Sequence, residues 1–257
     1  MLLAIDSGNT NIVFAIFGEN GEKQGEWRSS TNTNRTADEF GIWLEQLMQL
    51  EGISRNKINA AIIATVVPAT LFSLKTLCRK YFSCDPIIVG DEGVNLGIGI
   101  HVEKADEVGA DRLVNALAAH ERYGGPLIIV DFGTATTFDV IDNEGGYLGG
   151  VIAPGVNLSS EALHQAAAQL PRVAVERPEF VVGKSTVPAM QSGIFWGYVS
   201  LIEGIVKRIK AEMGRDMDVI ATGGLAPLFT QSIDTIRLFD DDLTLHGLLA
   251  VYHRNSG

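Results

Sequence analysis

Cysteine is nearly absent. Cys78 and Cys84 are the only two in 257 residues, too few for a disulfide framework or a zinc cluster. Flanking Arg79 and Lys80, they read as reduced thiols. Long uncharged apolar runs are missing too, so no membrane span is expected. The first apolar run, from Leu2, stops at Asp6 with no basic segment before it, which is not a secretory pattern. Positive charge is in deficit, with 20 Lys and Arg against 31 Asp and Glu and a net charge of −11. Such a chain has no bulk affinity for nucleic acid or anionic membrane. The five histidines (His101, His120, His164, His246 and His253) show no metal-binding spacing. These absences predict a soluble, cytoplasmic, globular protein without nucleic-acid or membrane partners.

What is present begins with a repeat. Leu2-Leu3-Ala4-Ile5-Asp6-Ser7-Gly8-Asn9-Thr10-Asn11-Ile12-Val13 returns, degenerate, as Leu127-Ile128-Ile129-Val130-Asp131-Phe132-Gly133-Thr134-Ala135-Thr136. Each copy is an apolar strand ending in Asp, a turn of glycine and small polar residues, and a second apolar strand. The two aspartates stand 125 residues apart, which divides the chain into two similar halves, 1–124 and 125–257. Gly124-Gly125-Pro126 forms the expected hinge. Hydrophobic residues make up 46% of the chain, enough to give each half its own core.

Periodicity predicts strands at 2–6, 12–17 and 24–29, a helix over 36–51, a strand at 58–66, a helix over 69–82 and a strand near 86–89. Residues 103–123 read as one further helix. The second half repeats the order, with strands at 127–131, 136–142 and 147–153 and a helix over Val156–Ala168. A long helix at 188–213, a strand at 218–221, a short helix and a last helix at 241–253 complete it. Residues 254–257 read as a loose tail. Three strands, helix, strand, helix, occurring twice, is the pattern of a duplicated RNase H-like α/β fold. Two such halves would enclose a cleft between them.

Asp6 and Asp131 each end a buried strand, where an α/β fold places its ligand crevice. One such Asp would most simply cap its own turn. Two at equivalent positions favour a shared chemical role, because capping gives no reason for both halves to keep the carboxylate. The hydroxyls and amides of Asn9, Thr10, Asn11 and Thr134 add donors, and oxygen ligands of this kind suit hard cations. The turn Thr222-Gly223-Gly224 would let an adenosine approach the backbone. Gly109-Ala110-Asp111-Arg112 falls inside the helix expected at 103–123, where a glycine costs about 1 kcal/mol relative to Ala. Among apolar neighbours, Asp111 would suit a base and Arg112 an anion clamp. An exposed structural ion pair, worth at most about 1 kcal/mol, fits the spacing equally well. Residues 193–209 are apolar nearly all round. A self-associating dimer helix explains this economically, and an unusually central core helix is the alternative.

Taken in order, several motifs resemble those of type III pantothenate kinases. They are Asp6-Ser7-Gly8-Asn9-Thr10, Arg35-Thr36-Ala37-Asp38-Glu39, Val66-Val67-Pro68, Gly109-Ala110-Asp111-Arg112, Asp131-Phe132-Gly133-Thr134, Gly183-Lys184-Ser185-Thr186 and Thr222-Gly223-Gly224. The resemblance runs from residue 1 to about residue 251. It implies the duplicated fold of the acetate and sugar kinase, Hsc70 and actin superfamily. It also implies phosphorylation of the pantothenate 4′-hydroxyl with ATP and Mg²⁺, the first step towards coenzyme A, in a homodimer that uses K⁺ or NH₄⁺.

Carried over residue by residue, the resemblance makes Asp6, Ser7, Gly8, Asn9, Thr10, Asn11, Ile12 and Val13 the ATP phosphate loop. Asp6 is then associated with Mg²⁺, Asp131 with the monovalent cation and Thr134 with ATP. Asp111 is implied as the proton acceptor, with Gly109, Ala110, Arg112 and Thr186 as further pantothenate contacts. The chain departs from the family at Val102, where many members carry an aromatic, and at Lys104-Ala105, in place of Asn-Pro. A polyphosphatase of the same superfamily would need a basic channel that this acidic chain lacks. A regulatory protein on a decayed kinase scaffold would be expected to have lost Asp6, Asp111 or Asp131.

Overall fold

The computed structural model describes residues 1–167 and 169–256, which group into two compact units. The first comprises Met1–Ile98, Glu103–Ala118 and the chain from Leu243 on; the second comprises Gly99–Val102 and Ala119–Asp242. The single cut expected after residue 124 therefore does not describe the grouping. The C-terminal helix returns to the first unit, and a short strap, 99–102, belongs to the second.

The first unit is built on a five-stranded sheet of order β3-β2-β1-β4-β5. Its strands are β1 (Leu2–Ser7), β2 (Asn11–Phe17), β3 (Lys23–Ser30), β4 (Ala60–Thr65) and β5 (Pro86–Ile88). The first three are antiparallel, and β4 and β5 run parallel to β1. Alternation along β1 sends Leu3 and Ile5 to one core and Leu2 and Ala4 to another, as the two-residue period of a strand requires. Helices α1 (Ala37–Leu50) and α2 (Pro68–Phe82) cover the first face. Thr36 and Glu39 form a reciprocal capping box at the start of α1, worth about 1 kcal/mol. The opposite face is covered by Val114 and Leu117 of α3 (Ala110–Tyr123) and by Leu245, Leu248 and Val251 of α7 (Leu243–Asn255).

The second unit repeats this plan, with sheet order β10-β9-β6-β7-β8. Its strands are β6 (Leu127–Phe132), β7 (Ala135–Ile141), β8 (Tyr147–Pro154), β9 (Asp218–Thr222) and β10 (Leu238–Phe239). The duplication extends to irregularities, since the β2–β3 ladder slips at Ile16/Phe17 and the β7–β8 ladder at the matching Val140/Ile141. One core face packs under α5 (Thr186–Met213), with α4 (Val156–Ala166) and α6 (Ala226–Phe229) completing the helices of this unit.

Several expectations change. The helix over 103–123 is a 3-10 turn at Ala105–Glu107 followed by α3, so Gly109 precedes the helix rather than interrupting it. Helix α5 starts at Thr186, inside its first turn. Its Phe195, Tyr198, Val199, Ile202, Val206 and Ile209 are buried in the core of the unit, with Trp196, Leu201 and Ile205 half-buried against it. The apolar surplus that suggested self-association is largely consumed there. Strand β10, only two residues long, was not anticipated. Ala168, the expected end of α4, and Gly257, the end of the expected tail, lie outside the described residues; 254–255 is helical. Among the described residues no helix is long and apolar enough to cross a membrane.

Candidate active site

In the first unit the repeat folds as a hairpin in which Ser7 pairs with Ile12 and Gly8 N–H bonds to Asn11 O at 3.0 Å. Asn9, Thr10 and Asn11 stand exposed at its tip. Strand alternation divides the residues before the tip. Asp6 shares the face of Leu2 and Ala4, the side that carries α3. Ser7 points the other way and is fully buried, its hydroxyl 2.9 Å from Thr70 Oγ1 on α2. Ile12 is fully buried and Val13 is packed on the core. Of the expected ATP loop, Ser7 and Ile12 can therefore offer a ligand only backbone groups, and Val13 is half-buried. Their side chains set the loop in place.

Val66 ties this turn to Asp111. Its N–H bonds to Ser7 O at 3.1 Å, just past β4, and its side chain lines the space beside Gly109. A Cβ on Gly109 would lie 3.3 Å from Val66 Cγ1 and 2.5 Å from Asp111 Oδ1. A side chain there would push the Asp111 carboxylate out of its present position. Asp111 occupies the first turn of α3 and accepts a hydrogen bond from Arg112 N–H at 2.8 Å. Burial raises its pKa above the ordinary carboxylate value, more than the bond and charge of Arg112 lower it. A desolvated carboxylate with an elevated pKa is a better proton acceptor than a solvated one. The first unit thus places the Asp6 turn, Val66 and the Gly109–Arg112 helix start in one contiguous stretch.

In the second unit Asp131 occupies the position of Asp6, pairing with Thr137 on β7 and with Thr222 on β9. Gly133 and the exposed Thr134 form the turn beyond it, with Gly133 N–H bonded to Ala135 O at 3.0 Å. This turn is one residue shorter than the first. Gly223 has φ +91°, and a Cβ there would collide with Asp131 Oδ1 and come within 2.7 Å of Phe132 N. The glycine expected to admit an adenosine is thus needed to give Asp131 room. Thr186 lies on a different element, exposed in the first turn of α5.

Among the described residues no group of three or more His, Cys, Asp or Glu could hold a metal. Single carboxylates at strand ends suit an ion whose remaining ligands come from phosphate and water. An open hollow of about 550 Å³ on the first unit is lined by Ser30, Asn32, Arg35, Glu39 and Ile42. It includes none of the three aspartates, so hollow size does not mark the site. Sequence reasoning passed over Val66, Thr70 and Gly223 as supports. The motif Val66-Val67-Pro68 was visible, but its contact with Gly109 is long-range.

A family model for type III pantothenate kinase matches residues 2–208. A protein from Paramagnetospirillum magneticum named type III pantothenate kinase is 66% identical over 256 residues, covering 100% of this chain and 98% of its own. One of the same name from Caulobacter vibrioides is 54% identical, covering 100% and 98%. Among solved structures, a Campylobacter jejuni protein described as a Baf family transcriptional activator superposes with TM-score 0.61 at 18% identity, covering 99% and 98%. A Sinorhizobium meliloti protein described as a 2-dehydro-3-deoxygalactonokinase gives 0.57 at 15%, covering 99% and 96%. These last two likenesses carry the fold alone.

Proposed function

The chain belongs to the type III pantothenate kinase family, and from that premise we propose how its residues divide the work of the reaction. It is a kinase that transfers phosphate to an alcohol, and its substrates are pantothenate and ATP, in the synthesis of coenzyme A. The exposed turn of Gly8, Asn9, Thr10 and Asn11 takes the phosphates of ATP through backbone N–H groups and side-chain amides. Thr134 makes a further ATP contact. Asp6 would hold the Mg²⁺ that accompanies ATP and Asp131 a monovalent cation, K⁺ or NH₄⁺; when bound, these ions neutralise phosphate charge.

Asp111 accepts the proton of the pantothenate 4′-hydroxyl. As that oxygen bonds to the γ-phosphorus, the bond from phosphorus to the bridging oxygen breaks in line and ADP leaves. The proton ends on the Asp111 carboxylate. Arg112 pairs with the pantothenate carboxylate, and Gly109, Ala110 and Thr186 contact the substrate. Phosphoryl transfer has a loose transition state, so positioning and charge placement contribute more than base strength. The protein acts as a homodimer in the cytoplasm.

The observation that carries this reading is the half-buried, partly desolvated carboxylate of Asp111, given room by Gly109 and joined through Val66 to the Asp6 turn. A coupled assay of phosphopantothenate formation in K⁺ and in Na⁺ buffer tests it. Asp111→Asn should lower kcat by roughly 10²–10⁴ while ATP affinity stays nearly constant. A variant that keeps most of its kcat would remove Asp111 as the base.

A further inference from the structure

The hairpin tip of the first unit is held from behind by one residue that no motif singled out. Thr31 lies just past β3 and is half-buried. Its N–H donates to Thr10 O at 2.9 Å, and its hydroxyl donates to Gly8 O at 2.6 Å. Two carbonyls of the turn, those of Gly8 and Thr10, are thereby held by this one residue. In a trans peptide the C=O and N–H point in opposite directions. A Gly8 carbonyl fixed on Thr31 therefore turns the Asn9 N–H away from Thr31, and a fixed Thr10 carbonyl does the same for Asn11.

The direction matters because a phosphate oxygen is attracted by N–H and repelled by C=O. The Gly8–Asn9 peptide is the one most able to reverse, since Gly8 has no side chain to resist rotation. Neighbouring contacts stiffen the clamp. Arg35 N–H donates to Asn32 O at 3.1 Å, and its guanidinium donates to Ser29 Oγ and lies 4.5 Å over the Phe40 ring and 5.0 Å over Trp43. The segment that delivers Thr31 is thus anchored to the core at both ends.

We infer that Thr31 is a positioning residue for ATP: its hydroxyl locks the Gly8–Asn9 peptide with the N–H facing the phosphates. The inference rests on reading the Gly8–Asn11 turn as the phosphate site. Thr31→Val keeps the backbone bond to Thr10 and the side-chain shape but removes the bond to Gly8, while Thr31→Ser keeps both bonds. Titration calorimetry with ADP and Mg²⁺, alongside steady-state kinetics, separates the outcomes. A net hydrogen bond of about 1 kcal/mol corresponds to roughly fivefold in affinity. Thr31→Val should weaken nucleotide binding and raise the KM for ATP by about that factor, with the KM for pantothenate unmoved and Thr31→Ser close to wild type.

Hydrogen exchange at the Asn9 amide of the wild-type protein provides a measurement that needs no variant. Added ADP and Mg²⁺ should slow it, and unchanged exchange would overturn the outward orientation. Asp6→Asn serves as the reference for the underlying reading. If it weakens nucleotide binding while Thr31→Val does not, the lock is wrong and the phosphate turn stands. If neither variant affects binding, the phosphate turn is wrong and the lock falls with it.

Discussion

At neutral pH the carboxylate of Asp111 carries a charge that its surroundings resist, because burial raises its pKa despite the Arg112 amide. Two pH effects follow, with opposite consequences for activity and for stability. As a base, Asp111 works unprotonated, so kcat should fall as pH drops through its native pKa, above the ordinary value of about 4. For stability the sign reverses. The native state holds this proton more tightly than the unfolded chain does. Stability is therefore undiminished below the unfolded value and lost as pH rises from it through the native one. Asp111→Asn removes that loss. Its melting temperature should exceed that of wild type at pH 7, with the gap closing towards about pH 3. A variant that melts below wild type at pH 7 would show that the charge supports the fold rather than straining it.

At the scale of elements, the second turn depends on the glycine behind it. Gly223→Ala places a methyl group against Asp131 Oδ1 and Phe132 N at a φ of +91°. The strained backbone alone should cost about 1–3 kcal/mol. If Asp131 holds the monovalent cation as proposed, Asp131→Ala should abolish K⁺ stimulation, and Gly223→Ala, which forces the carboxylate to move, should weaken it. Activity in K⁺ against Na⁺, measured with a thermal melt, checks both effects, and full K⁺ stimulation in Asp131→Ala would move the ion elsewhere. The hairpins themselves were legible, since an apolar strand, a terminal Asp and a glycine turn are local patterns that recurred in order. Gly109 was misplaced because Lys104 to Val108 has helical composition, and the 3-10 turn that ends there leaves no periodic signal. The burial of Ser7 and Ile12 and the half-burial of Val13 depend on α2 and α3 packing on opposite faces of the sheet. A motif match names such residues without saying which groups they present. The roles of Val66 and Thr31 come from contacts over 40 and 20 residues respectively, which no local pattern encodes.

For the whole molecule, the homodimer proposal makes a prediction that a monomer could not meet. If Thr186 reaches the partner's Asp111, then Asp111→Asn and Thr186→Val proteins, each nearly inactive alone, should complement one another when refolded together. Random pairing leaves about half the dimers mixed, each with one intact site, so activity should recover towards about a quarter of wild type. Mixed dimers that form but stay inactive would assign Thr186 to its own subunit. The return of α7 to the first unit bears on how the protein is made. Leu245, Leu248 and Val251 cover the sheet face formed by Leu2, Ala4, Ala15, Phe17, Ile62 and Ala64. Those strands precede the second unit in the chain, and α7, which helps to cover them, follows it. That face must therefore wait with only α3 to cover it while the second unit is synthesised, and that interval is when a chaperone would have most to protect.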